Sequence, residues 1–190
     1  MRQTIGLFFF FGLVAFLCDQ SWVRLGVSTY YTGPFKQPWW VFLQLGAVGV
    51  VAVCFARFVT YYLVPHDAPA PPGLTARFAI SAAWFVAAYI AGGLLDATRA
   101  RRLAAALFLV WLLRFIVQRP VKGERLAILI ICFGLAIAGP AAEMLLSYFG
   151  VMHYERPFYF RYGVPVWLPT LFLQAGYLAR DISRAWFGGR

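Results

Sequence analysis

The stretch Leu126–Phe149, which reads LAILIICFGLAIAGPAAEMLLSYF, decides the fold. Its 24 residues include one charged side chain, Glu143. An α-helix of this length measures about 36 Å, which is enough to cross a hydrocarbon core of about 30 Å. The stretch therefore predicts a membrane-spanning helix.

The composition of the whole chain agrees with that stretch. Of the 190 residues, 62% are hydrophobic and 13% are charged, whereas soluble domains contain roughly 45–50% apolar and about 25% charged residues. The mean hydropathy is +0.72. These values exclude a soluble enzyme, a DNA-binding module and a disordered tail, and they predict one transmembrane domain over residues 1–190.

Five further apolar runs lie on either side of the first stretch. Phe16 and Leu17 are too bulky for a signal-peptide cleavage site before Cys18, so we interpret the first run as a retained helix. We therefore expect an all-α fold of six transmembrane helices. The five runs are Ile5–Cys18 (continuing toward Val27), Trp39–Val64, Ala76–Leu95, Leu103–Val117 and Val166–Ala179.

The distribution of Lys and Arg predicts the orientation of such a bundle. Cytoplasmic loops of membrane proteins carry an excess of Lys and Arg. With six spans, the side that holds both termini carries ten of these residues and the other side carries seven. We therefore expect both termini in the cytoplasm, and the net charge of +10 to face lipid head groups and not nucleic acid. The ten are Arg2, Arg57, Arg77, Arg114, Arg119, Lys122, Arg125, Arg180, Arg184 and Arg190.

Small residues recur every four positions in two of the runs. Helices in lipid pack where small side chains let their backbones approach. These ladders therefore predict contact faces between helices, and the first of them also permits self-association. They are Ala79, Ala83, Ala87 and Ala91 in the third run, and Gly134, Ala138 and Ala142 in the fifth.

Polar side chains within the apolar runs are the candidates for function. We expect Arg57 and Arg114 to extend toward the membrane surface from the ends of their spans. Glu143 lies deeper, and its expected partners are Arg24, Lys36 or Arg156, unless burial keeps it protonated. The candidate ligand contacts are Gln44, Glu143, Ser147 and Gln174.

Residues suited to catalysis or metal binding are few. His153 and Glu155 form an HxE pair without a third ligand, and the sequence contains no HExxH and no phosphate-binding loop. We therefore expect no enzymatic activity, no cofactor and no metal. The aromatic residues of the same loop, Tyr154, Phe158, Tyr159, Phe160 and Tyr162, are typical of an interfacial belt.

The last quarter of the chain resembles the INSIG (insulin-induced gene) family. The matching elements are Gly150-Val151, Tyr154, Pro157, Trp167-Leu168-Pro169, Phe172, Gly176 and Ile182-x-Arg184, preceded by Trp39-Trp40-Val41 with Gly46, and by Arg77, Phe85-Val86 and Asp96. The resemblance implies a six-helix membrane fold with cytosolic termini and a lipid-binding regulatory role. Eukaryotic members sense oxysterols and retain proteins with sterol-sensing domains in the endoplasmic reticulum.

The chain departs from the family pattern at two positions. Where the family has an aspartate at the end of the fourth helix, this chain has Arg114-Phe115-Ile116-Val117, and Glu143 replaces a family glutamine.

The fifteen Arg and two Lys indicate a GC-rich bacterial genome and hence the bacterial inner membrane, with the endoplasmic reticulum as the eukaryotic alternative. A partner with a sterol-sensing domain is expected only in that eukaryotic case.

The functional prediction is a non-enzymatic protein that holds one sterol-like or diacylglycerol-like lipid in an intramembrane cavity. A mostly apolar pocket with few polar groups suits such a ligand. The alternative is a small intramembrane enzyme that acts on a lipid or isoprenoid, with Glu143 as acid/base and His153 assisting. A homo-oligomer is also compatible with the sequence.

Overall fold

The computed structural model describes residues 2–31, 37–65, 74–118, 123–155 and 163–187. Nearly all of them are helical, and they include two short strands. In chain order the elements are α1 (Arg2–Arg24), β1 (Ser28–Tyr30), α2 (Trp40–Leu63), α3 (Leu74–Val117), α4 (Glu124–Tyr148), β2 (Met152–Tyr154) and α5 (Leu168–Phe187).

The long helix α3 is two helices joined at Arg99, where the backbone leaves the helical conformation (φ −142°, ψ 26°). The guanidinium of Arg114 donates to the hydroxyl of Ser81 over 2.6 Å although 33 residues separate them. A straight helix would place these residues about 50 Å apart. The arms α3a (74–98) and α3b (100–117) therefore form an antiparallel hairpin, and the predicted count of six helices is confirmed.

In the described part of the chain, four helical segments are long and apolar enough to span a membrane: Gln3–Arg24, Trp40–Leu63, Ala76–Leu95 and Glu124–Tyr148. The sequence predicted that the sixth run ends at Ala179, but α5 continues to Phe187. Arg180 and Asp181 are buried within this continuation, 2% and 1% exposed. The prediction of its end was wrong because charges that are paired inside a protein do not stop a helix.

The two strands pair as an antiparallel ribbon across one end of the bundle, with Ser28 opposite Tyr154 and Tyr30 opposite Met152. The residues before each strand turn through glycines with positive φ, Gly26 and Gly150, both at +68°. We call this the ribbon end of the bundle. The opposite end, where α1 begins and α5 finishes, is the terminal end.

Three of the four alanines in the ladder of α3a do not make the contacts predicted for them within this chain. Ala79, Ala83 and Ala87 are exposed, while the fourth, Ala91, is partly buried against the core. The packing face of α3a is formed mainly by larger residues, including Tyr89, whose ring stacks on Trp22 of α1 with 3.8 Å between ring centroids. Ala79, Ala83 and Ala87 thus form an outward-facing surface of the isolated chain.

Candidate functional site

The four predicted ligand contacts do not form one group. Gln44 is half-buried near the start of α2, and Glu143 is half-buried near the end of α4. Ser147 is buried one turn beyond Glu143. Gln174 is fully buried on α5, where its amide nitrogen donates to the carbonyl of Leu107 over 3.0 Å.

Gln174 belongs to a network of polar side chains between α3, α4 and α5, which we call the terminal network. Arg114 donates to the amide oxygen of Gln174 over 2.9 Å as well as to Ser81. Ser81 in turn donates to Asp181 over 2.5 Å. Arg114 therefore bonds inside the bundle, and the prediction that it extends to the membrane surface was wrong. Its hydrogen bonds to buried oxygens replace the hydration that the surface would supply.

The network continues to the terminal end through three ion pairs. Arg180 contacts Asp181 at 2.5 Å and Glu124 at 3.8 Å, and Arg184 contacts Glu124 at 2.5 Å. Tyr177 lies beneath two of the cations, with 4.2 Å from the guanidinium carbon of Arg114 to the ring centroid. Buried charges are tolerated when they are paired and hydrogen-bonded in this way. The network thus fixes α5 against three neighbouring segments.

A second group lies under the ribbon and joins two carboxyl groups from different helices. Asp19 on α1 is buried and accepts from the hydroxyl of Tyr30 over 2.8 Å and from the amide of Gln37 over 2.7 Å. Glu143 on α4 accepts from the hydroxyl of Tyr154. We call Asp19, Tyr30, Gln37, Glu143 and Tyr154 the carboxyl cluster.

The two tyrosines of the ribbon are the donors in this cluster. Burial, followed by the negative charge of Asp19, raises the pKa of Tyr30 well above its ordinary value. Burial, followed by the charge of Glu143, raises the pKa of Tyr154 in the same direction. Both phenols therefore keep their protons at physiological pH and donate to the carboxyl groups.

One sequence prediction for this region was wrong, and another is tested only in part. Glu143 contacts the hydroxyl of Tyr154 and not Arg24, which is exposed; the other expected partners, Lys36 and Arg156, lie outside the described residues. Tyr154 is buried in β2, so it is not part of an interfacial belt. The other aromatic residues of that loop also lie outside the described residues.

The contact surface between α2 and α4 ends partway along both helices, toward the ribbon end. The face of α4 that carries Ala127 and Ile131 is fully buried. Helical spacing continues this face to Ala138, Ala142 and Leu145. All three are exposed, and Leu145 reaches 55%. The face therefore loses its cover about halfway along the helix.

The facing surface of α2 becomes exposed at the same level. The ring of Phe55 lies against Gly134, where an added Cβ would come within 3.0 Å of it. Beyond this contact, toward the ribbon, Val51 and Val48 are 66% and 46% exposed, and Gln44 follows one turn later. Both surfaces are thus exposed outward from the Phe55–Gly134 contact. From this paired exposure we infer an opening between the two helices, which we call the α2–α4 cleft, lined by Gln44, Val48, Val51, Ala138, Ala142 and Leu145.

A separate apolar pocket of about 480 Å³ opens between α1 and α2 and is broadly exposed. Its lining is entirely apolar in character, with Phe8 and Phe9 on one wall and Val50 and Val51 on the other. The pocket thus adjoins the α2–α4 cleft at Val51. It lacks a group that would orient a polar head.

His153 and Glu155 lie on the outer surface of the ribbon. Their side chains are 3.2 Å apart, and Thr29 donates to the same carboxylate oxygen of Glu155 over 2.5 Å. Among the described residues, no three His, Cys, Asp or Glu side chains come together as metal ligands. The pair therefore stabilises the ribbon by a local contact.

Sequence reasoning did not single out Asp19, Tyr30, Gln37 or Asp181 as interior residues. Asp19 lies 124 residues before Glu143, and β1 and β2 are three residues each, too short for a period-2 pattern to be recognised. The one available signal was Asp19 itself, a carboxylate five residues before the end of the first helix.

These features define a class of protein. The described residues include four apolar helices of membrane-spanning length, and Arg114, Ser81, Gln174 and Asp181 bond to one another inside the bundle, where a bilayer supplies no water. The chain is a polytopic integral membrane protein.

Comparison with solved structures identifies the fold more closely. The chain matches the crystal structure of MvINS, a mycobacterial Insig homologue from Mycobacterium vanbaalenii, with a TM-score of 0.77 and 20% identity over 96% of this chain and 93% of that one. It also matches the cross-linked trimer of an arginine-to-cysteine variant of MvINS, with a TM-score of 0.80 and 19% identity over 100% and 96% of the two chains. The expected Insig-like fold is confirmed. No family model and no curated protein sequence matches the chain.

Proposed function

We propose that this protein is a non-enzymatic, Insig-like regulatory protein that binds one sterol-like or diacylglycerol-like lipid in the α2–α4 cleft. The observation that carries the proposal is the paired exposure of Val48 and Val51 on α2 and of Ala138 and Ala142 on α4. An apolar cleft that opens sideways suits a ligand that arrives from the bilayer and not from water.

The proposed ligand is mostly apolar because the cleft is lined by valine, alanine and leucine side chains. Gln44 is the candidate for the polar end of the lipid, since it lies half-buried at the wide end of the cleft. A single amide can both donate to and accept from a hydroxyl or an ester. Of the other predicted contacts, Glu143 and Ser147 lie nearest the ribbon end, and Gln174 is already bonded at both ends of its amide.

The proposal is tested by mass spectrometry of lipids that co-purify with the protein in mild detergent. Ala138→Trp fills the cleft, and we expect retained lipid to fall by at least about tenfold, or about 1.4 kcal/mol of binding free energy. Ala105→Trp is the matched control because Ala105 is an exposed alanine on α3b, away from the cleft. Equal retention by both variants would contradict binding in the cleft.

Gln44→Leu separates the polar contact from the apolar one. We expect this variant to retain lipid but to lose preference for lipids with a free hydroxyl. Glu143→Gln tests the enzymatic alternative in the same preparation. A lipid product that is formed by the unmodified protein and absent with Glu143→Gln would favour an enzyme over a binding protein.

A further inference from the structure

The inward face of the ribbon holds a hydroxyl group that has no partner. Ser28 and Tyr30 share the buried face of β1, and Ser28 pairs across the ribbon with Tyr154. Tyr30 and Tyr154 both use their hydroxyls on the carboxyl cluster, through Asp19 and Glu143. Ser28, which is 0% exposed, lies on the same face of the ribbon, opposite Tyr154, and its hydroxyl makes no hydrogen bond.

A second buried oxygen, on the side-chain amide that bonds to Asp19, also has no hydrogen-bond partner. Gln37 is 2% exposed, and its amide nitrogen donates to Asp19. The oxygen of that same amide has no hydrogen-bond partner. Leaving a buried polar group unsatisfied costs about 1–3 kcal/mol, so two such oxygens beside two carboxyl groups require an explanation.

Among the described residues, the groups gathered here offer acceptor oxygens and include no positively charged side chain. The protons of Tyr30, Tyr154 and the Gln37 amide are directed to the carboxyl groups. Within the described part of the chain, no Lys, Arg or His side chain bonds to Asp19 or Glu143. An isolated carboxylate removed from water is costly, and a cation nearby offsets that cost.

We propose that the carboxyl cluster binds one alkali cation, sodium or potassium, through the oxygens of Asp19, Glu143, Ser28 and Gln37. Such hard cations take oxygen ligands from carboxylates, amides and hydroxyls. Each carboxyl group already accepts at least one hydrogen bond, and no third carboxylate joins them among the described residues. This donor set suits a monovalent ion better than calcium, whose sites use more carboxylate ligands. The site is separate from the α2–α4 cleft.

The test measures the midpoint of thermal unfolding in detergent while sodium chloride replaces N-methylglucamine chloride at constant ionic strength. Intrinsic tryptophan fluorescence reports on the site, since the ring centroids of Trp22 and Tyr154 are 6.4 Å apart. We expect sodium to raise the midpoint of the unmodified protein by several degrees, because a ligand that binds only the folded state stabilises it. Potassium and calcium are titrated in the same way.

Three variants and one control make the result specific. Glu143→Gln and Asp19→Asn keep the side-chain shape and remove the charge, and Ser28→Ala removes one ligand with little change in packing. We expect the sodium response to be lost in the first two and weakened in the third. Glu155→Gln removes an exposed carboxylate from the outer surface of the same ribbon, so its response should equal that of the unmodified protein.

Several outcomes would overturn the cation site. They are an unchanged midpoint in sodium and potassium, a sodium response of equal size in Glu143→Gln and in Glu155→Gln, and a response to calcium alone.

The primary ammonium of phosphatidylethanolamine is a second source of one positive charge. If sodium-free vesicles of that lipid stabilise the protein and phosphatidylcholine vesicles do not, the occupant is a lipid head group and the alkali-ion proposal fails. Loss of lipid from Ala138→Trp with an intact sodium response would leave the cation site standing.

Discussion

At the scale of single residues, Gln174 shows how a membrane protein satisfies polar groups without water. Its amide joins the carbonyl of Leu107 on α3b to the guanidinium of Arg114. We expect Gln174→Leu to lower the free energy of unfolding by roughly 1–3 kcal/mol, because it leaves an N–H of the Arg114 guanidinium without its partner inside the bundle. The change is measured by chemical unfolding in detergent micelles.

Gln44→Leu is the matched control for that change, since Gln44 is a glutamine on a helix surface and only half-buried. We expect its free energy of unfolding to stay within about 0.5 kcal/mol of the unmodified protein, as for most substitutions away from buried networks. Equal losses in the two variants would show that the bonds of Gln174 are not what stabilises the bundle.

The sequence predicted which residues are unusual but not what they contact. Glu143 and Arg114 were identified because a charged group inside an apolar run is costly. Their partners, Tyr154 and Ser81, depend on how distant segments meet, and no local pattern encodes that. Asp181 escaped notice because it lies among other charges, which on a sequence look like a solvated helix end.

At the scale of elements, the ribbon depends on two glycine turns. Gly26 and Gly150 each have φ +68°, and an added Cβ would meet nothing within 4 Å at either position. Alanine at either position would therefore make no steric clash, and the only cost is the free energy of holding its backbone in a left-handed conformation, which is about 1 kcal/mol. We expect Gly26→Ala and Gly150→Ala each to lower the free energy of unfolding by about that amount.

Gly6→Ala is the control for the turn glycines. Gly6 lies within α1 and also has nothing within 4 Å of an added Cβ. We expect this variant to be neutral or more stable by up to about 1 kcal/mol, because alanine is the better helix former. Hydrogen exchange at the amides of β1 and β2 distinguishes loosening of the ribbon from a global effect. Unchanged exchange in Gly150→Ala would contradict the role assigned to the turn.

Apolar runs predicted the helices well and the shorter elements poorly. Length and hydropathy are local properties, so α2 (Trp40–Leu63) and α4 (Glu124–Tyr148) lie within two residues of their predicted bounds. The continuation of α5 past Ala179 depends on ion pairs with other helices. The ribbon depends on a pairing between residues 28–30 and 152–154, which is visible only in three dimensions.

At the scale of the whole molecule, the chain exposes a flat stripe that its own helices do not use. Ala79, Ala83 and Ala87 lie on one face of α3a and point away from the bundle. Small side chains at this spacing let helices approach closely in lipid. The stripe therefore predicts that α3a mediates self-association of this chain.

Cysteine cross-linking in native membranes tests that surface. Cys54 is exposed and Cys18 and Cys132 are buried, so a Cys54→Ala background removes the accessible thiol. We expect Ala83→Cys in this background to form a disulfide-linked dimer band on oxidation, because two α3a helices packed through alanines bring their Cβ atoms within reach of a disulfide. Ala105→Cys, on the exposed face of α3b, should link several-fold less. Equal cross-linking of both cysteines would indicate random collision in the membrane, and a monomer with Ala83→Cys would place any interface on another face.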